Sequence, residues 1–122
     1  MVRRQAYRQE NAGEALYSTQ RETGRDGFTR TVIEAMEWQG WRVYHTTDSR
    51  LDTIYGETGR GFPDIMAVRP RDGRILVAEL KSETGTLSTE QLIWLGVYMQ
   101  RSGVEVYTWK PHDIDEIHRI IA

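Results

Sequence analysis

The tightest constraint on this chain lies between residues 64 and 81. Two apolar runs, residues 65–68 and 75–81, flank Arg71-Asp72-Gly73. An Asp-Gly connection between two strand-forming segments reads as an antiparallel hairpin. Pro63 is compatible with the start of the first strand, where a missing N–H forfeits little of the ladder. Residues i and i+2 of a strand share a face. Glu79 and Lys81 therefore project together, and Leu80 turns the other way, into the core. With the two strands as neighbours, Asp64 reaches the same place. Two carboxylates and one ammonium then converge at the edge of an apolar sheet. That arrangement is costly unless a metal or an anionic substrate neutralises it.

The rest of the chain supplies partners for the hairpin. Residues 26–39 have helical periodicity, with Phe28, Val32, Ala35 and Gln39 on one stripe, Met36 beside it and Gly40 as the stop. Residues 41–46 read as a strand that puts Trp41, Val43 and His45 on one face. A loop over 47–61 follows. Its Gly-Glu-Thr-Gly-Arg-Gly piece lacks the Gly-Lys-Ser/Thr ending of a phosphate loop and leads into a strand, so it is set aside. Ser88 and Gln91 form a capping box that opens a helix running to residue 102, with Leu92, Leu95 and Met99 inward and Gly103 after its end. Residues 104–109 are the last strand. Pro111 opens a final helix whose stripe is Ile114, Ile117 and Ile121. The expected fold is α/β, in the order α-β-β-β-α-β-α, with a mixed central sheet flanked by helices. Residues 1–25 are polar and read as a flexible or loosely helical arm, leaving 26–122 as a single domain.

Composition narrows the chemistry. Without cysteine there are no disulfides, zinc–thiolate sites or thiol catalysis, which fits a cytoplasmic setting. A net charge of −2 argues against a generally basic nucleic-acid binder, so any DNA contact comes from a local patch. No apolar run approaches the ~20 residues of a membrane span, and the N-terminus lacks the apolar core of a secretory signal.

The ordered set Pro63-Asp64, Glu79-Leu80-Lys81, Gly85-Thr86-Leu87-Ser88, Gln91 and Gly103 resembles the PD-(D/E)XK nuclease superfamily. It is most similar to the VRR-NUC branch, in its small single-domain phage and bacterial form. The runs Gly40-Trp41-Arg42-Val43-Tyr44-His45-Thr46 and Asp48-Ser49-Arg50 share in the resemblance, which covers residues 28–122. It implies a restriction-endonuclease-like core and a Mg2+- or Mn2+-dependent deoxyribonuclease. It further implies an endonuclease acting as a homodimer, with flap, branched or junction and plain duplex DNA all open as its substrate. Metal ligands would be Asp64, Glu79 and the backbone carbonyl of Leu80. Lys81 and Gln91 would join Asp64 and Glu79 as catalytic residues. The capping box is by itself a sufficient reason for Gln91, and both roles stay open. The family's first-helix glutamate falls near Arg25 or Asp26, where no glutamate stands. Glu22, Asp26 and Glu34 are the substitutes, with Glu34 the candidate inside the helix and off its stripe. His45, Arg50, Arg60 and Arg69 are candidate substrate contacts, each equally readable as a packed or solvated side chain. Trp94 and Tyr98 read as core, as dimer interface or as a flank to DNA. The alternative function is a non-catalytic DNA-binding or assembly module on the same fold.

Overall fold

The computed structural model describes residues 27–46 and 59–122. The N-terminal arm, Glu22, Asp26, Asp48, Ser49 and Arg50 lie outside the described residues. Within them, helix α1 (residues 27–38) is followed by strands β1 (Arg42–His45), β2 (Ile65–Arg69) and β3 (Arg74–Leu80). Helix α2 (Thr89–Met99), strand β4 (Val104–Trp109), a 3-10 turn (Pro111–Asp113) and helix α3 (Ile114–Ile121) complete the order. The sheet order is β1-β2-β3-β4. β1–β2 and β2–β3 are antiparallel and β3–β4 is parallel, so the sheet is mixed, as expected. None of the described helices is long and apolar enough to cross a membrane.

The hairpin sets the register. Arg69 pairs with Arg74 and Ile65 with Ala78. The turn closes where the Gly73 N–H donates to the Arg69 carbonyl at 2.8 Å. Gly73 has a φ of 73°, a left-handed conformation that costs a residue with a side chain. Strand alternation then sends Ile65, Ala67, Leu76, Ala78 and Leu80 to one face, where they form the core with Phe28, Val32 and Met36 of α1 and Ile117 and Ile121 of α3. On α1 the buried stripe therefore runs at four-residue spacing through Met36. Ala35 is only partly buried, and Gln39 falls in the turn after the helix.

Helix α2 lies against β4 and corrects one expectation. Of Leu92, Leu95 and Met99, only Leu95 is buried; Leu92 is 54% and Met99 69% exposed. The reason is topological. β4 is an edge strand, so the outer flank of α2 overhangs the sheet, and Leu92 and Met99 line an open groove with Val106 and Thr108. The helix also ends earlier than predicted, with Gln100 as its C-cap.

At the hairpin end of the sheet, two arginines and a tryptophan cap α3. The Trp41 indole and Arg69 guanidinium both donate to the Ile121 carbonyl at 2.9 Å, and Arg74 donates to the Ile120 carbonyl at 2.8 Å. Both guanidinium groups lie 5.0 Å from the Trp41 ring centroid. The last carbonyls of a helix lack intrahelical donors and carry partial negative charge, so cations are the fitting partners. Arg69 is only 4% exposed and also pairs with Asp72. It sits roughly 16 Å along the strand from Asp64, at ~3.3 Å per residue. The expectation that Arg69 contacts substrate phosphate is corrected: its guanidinium is committed to the fold.

Arg74 also grips Glu105 through two hydrogen bonds of 2.7 and 2.6 Å, and the Tyr107 hydroxyl donates to the same carboxylate at 2.9 Å. Burial first, then the Glu105 carboxylate, pushes the Tyr107 phenol up to about 12. The Arg74 bond first, with help from Tyr107, holds Glu105 below the ordinary carboxylate range. A depressed folded-state pKa stabilises above the unfolded value, and the gain disappears as pH falls through the folded one. Glu105→Gln should therefore cost ~1–2 kcal/mol near neutrality. In thermal melts, the wild-type advantage should shrink as the solution is acidified through the carboxylate range.

Candidate active site

A proline creates the site at the opposite end of the hairpin. Continuing the β2–β3 register one step beyond Ile65–Ala78 sets Asp64 against Glu79, and the next step sets Pro63 against Leu80. The Lys81 N–H donates to the Trp109 carbonyl on β4 at 2.9 Å. Backbone groups alternate direction along a strand, so both the N–H and the C=O of Leu80 face Pro63. Proline has no N–H to return. The ladder stops there, and the side chain of Asp64 takes over half of it: Oδ2 accepts from the Leu80 N–H at 2.8 Å. The Leu80 carbonyl is left facing a residue with no donor.

Directly opposed residues of an antiparallel pair share a face, with Cβ atoms ~4.5–5.5 Å apart. The register, extended one step past Ile65–Ala78, would make Asp64 and Glu79 such a pair. Glu79 is 1% exposed, and a carboxylate buried that deeply calls for nearby positive charge or hydrogen bonds. Lys81, half-buried, follows two residues on and on the same face. Two carboxylates and a carbonyl without a ladder donor are hard oxygen ligands, and they leave room for water. That set fits a small divalent cation of the magnesium type. Among the described residues, no three or more His, Cys, Asp or Glu side chains gather into a ready cage.

The segment leading to Asp64 rests on α2. Gly61 has a φ of 86°, and a Cβ there would stand 2.5 Å from the Glu90 carbonyl carbon and 2.8 Å from the Gln91 nitrogen. The Trp94 indole donates to the Arg60 carbonyl at 3.0 Å. Phe62 meets the Trp94 ring edge-on at 5.0 Å, and Tyr98 stacks on Trp94 at 6.4 Å. Trp94, with Tyr98 stacked on it, thus holds the chain just upstream of Asp64. A tryptophan three residues after Gln91 is on the same helical side, and that spacing was the only sign of this role in the sequence.

The other candidates divide. Gln91 completes the capping box: its Oε1 accepts from the Ser88 N–H at 2.8 Å, and its own N–H donates to Ser88 Oγ at 3.2 Å. His45 pairs with Ile65 and so points to the α1 face, away from Glu79. Its neighbour Thr46 donates through its N–H to the Asp64 carbonyl at 3.2 Å, and Thr108 pairs with Glu79 across β4. Thr46, Asp64, Glu79 and Thr108 therefore form one row across the sheet. Sequence reasoning passed over both threonines, because only the register reveals them. Arg60 is exposed beside the site, and Arg50 lies outside the described residues. Glu34 is on the solvent side of α1, opposite Phe28, Val32 and Met36, so the structure does not bring it to Glu79.

Gly61→Ala should lower stability by ~1–3 kcal/mol in chemical denaturation, because the added methyl meets backbone in a left-handed conformation. Gln91→Ala should cost ~1 kcal/mol through the lost cap. Turnover per folded molecule, measured alongside, shows whether Gln91 serves the chemistry as well.

Comparison with known proteins gives one family. Its model, described as VRR-NUC domain, matches residues 30–111, more than half of the chain. Searches of curated proteins and of solved structures returned no match. The matched span holds Asp64, Glu79, Leu80, Lys81 and Gln91, and the mixed, helix-flanked sheet is consistent with a restriction-endonuclease-like core.

Proposed function

The chain belongs to the VRR-NUC domain family, and from that membership we propose that it is a metal-dependent nuclease hydrolysing DNA phosphodiester bonds at Asp64, Glu79 and Lys81. The observation that carries this reading is the Asp64 side chain bound to the Leu80 N–H beside buried Glu79, with the β2–β3 register directing Asp64 toward Glu79. Asp64, Glu79 and the Leu80 carbonyl would hold Mg2+ or Mn2+. Such an ion supplies Lewis acidity toward water and phosphate. The protein's own groups do the rest. Lys81 presents a positive charge and donors to a phosphate oxygen or to the attacking water. Arg60 offers a guanidinium to the backbone of the nucleic acid. Burial of Glu79 keeps water from competing for its oxygens. Endonucleolytic action on branched or junction DNA by a homodimer completes the reading.

The position of Glu34 favours one second reading, a non-catalytic DNA-binding or assembly module on the same fold. Incubation of the full chain with linear, nicked and branched DNAs separates the two. The nuclease gives product with Mn2+ and none with chelator, whereas the module binds DNA without product. Asp64→Asn, Glu79→Ala and Lys81→Met should each reduce cleavage by ~100-fold or more while melting close to wild type. Undiminished cleavage by Glu79→Ala would remove the assignment.

A further inference from the structure

The turn that follows Lys81 is held from outside. Glu83 is gripped twice by the segment after β4: its Oε2 lies 2.5 Å from Nδ1 of His112, and its carbonyl accepts from Lys110 Nζ at 3.2 Å. That segment is itself fixed. The Lys110 N–H donates to Asp113 Oδ2 at 2.8 Å, and Asp113 Oδ1 lies 3.2 Å from Nε2 of His112. His112 therefore spans two carboxylates, Glu83 from the loop and Asp113 from its own turn, with Lys110 as the neighbouring cation. The held loop folds back on Lys81. The Gly85 N–H donates to the Ser82 carbonyl at 3.1 Å. A methyl on Gly85 would stand 3.3 Å from Lys81 Cβ and 3.4 Å from Lys81 Cδ. The 82–85 turn thus packs along the aliphatic stem of Lys81, a long flexible side chain whose direction depends on what its stem lies against.

We propose that His112, Glu83 and Lys110 form a latch that positions Lys81, by fixing the 82–85 turn against its stem. The inference rests on the reading of Lys81 as a catalytic group and adds its regulation. His112 is 64% exposed, so the latch is open to the solution. The Glu83 bond first, then Asp113, raises the imidazole above the ordinary histidine value. A raised pKa means that the charged latch is complete below the ordinary histidine range and weakens as pH rises through the shifted value. Placement of Lys81 is then a property of pH as well as of fold.

The test is Mn2+-dependent DNA cleavage by the full chain over about pH 6 to 9, a window that brackets histidine titration. The forms compared are wild type, His112→Gln, Glu83→Gln and His112→Lys. At the acid end His112→Gln and Glu83→Gln should lose ~10-fold or more in kcat, the scale expected of a misplaced reacting group. KM for DNA, Mn2+ affinity and melting temperature should stay near wild type. The ratio of wild-type to His112→Gln kcat should shrink toward one as pH rises, which cancels any general effect of hydroxide. His112→Lys keeps a donor and a charge and should retain the rate without that fall. Equal kcat for wild type and both glutamine variants, or a ratio flat with pH, would overturn the latch alone. Absence of Mn2+-dependent product from wild type would overturn both the latch and the nuclease reading beneath it.

Discussion

The pairing of β2 with β3 is the constraint on which the rest depends. A strand repeats every two residues, so a slip of one residue would carry Asp64 to the face opposite Glu79 and turn the apolar set outward. The Gly73 turn and the burial of Ile65, Ala67, Leu76 and Ala78 hold the register together. Pro63 then ends the regular ladder next to Asp64. By withholding one N–H it leaves the Leu80 N–H to the Asp64 side chain.

The two ends of the sheet treat charge in opposite ways. At the hairpin end, Arg69 and Arg74 meet carbonyls and carboxylates directly and lie over Trp41. Their cost of burial is offset by close partners, and the result is structural. At the other end, Glu79 is almost wholly buried, and the Asp64 side chain accepts from the Leu80 N–H beside it. The same sheet thus carries paired cations at one end and a buried acid at the other.

Helix α2 ties the site to the rest of the molecule. Its first turn supports Gly61, its Trp94 holds the Arg60 carbonyl, and its Ser88–Gln91 cap ends the loop that starts at Lys81. The same helix leaves Leu92, Ile93, Val97 and Met99 exposed. A helix laid over an edge strand cannot bury both flanks. This is why Leu92 and Met99, which look like core in the sequence, are surface in the fold while Leu95 is buried.

Local chemistry was enough to read much of this from the residues. Strand alternation, the Asp-Gly turn and the capping box predicted the order of elements and the mixed sheet. These are short-range properties, set by backbone sterics and by which face each residue occupies. What needed the tertiary structure were the long-range pairings. Arg69 looked like a surface cation until α3 brought its terminal carbonyl alongside. Thr46 and Thr108 joined the row only through neighbouring strands. Glu83 and His112 meet across 29 residues, and no periodicity foretells that contact. The sequence by itself determined the elements and which face of its strand each acid occupies, because these follow from neighbours along the chain. Only the folded sheet decided which cations were already occupied and which side chains stood beside the acids, because these depend on what packs from elsewhere.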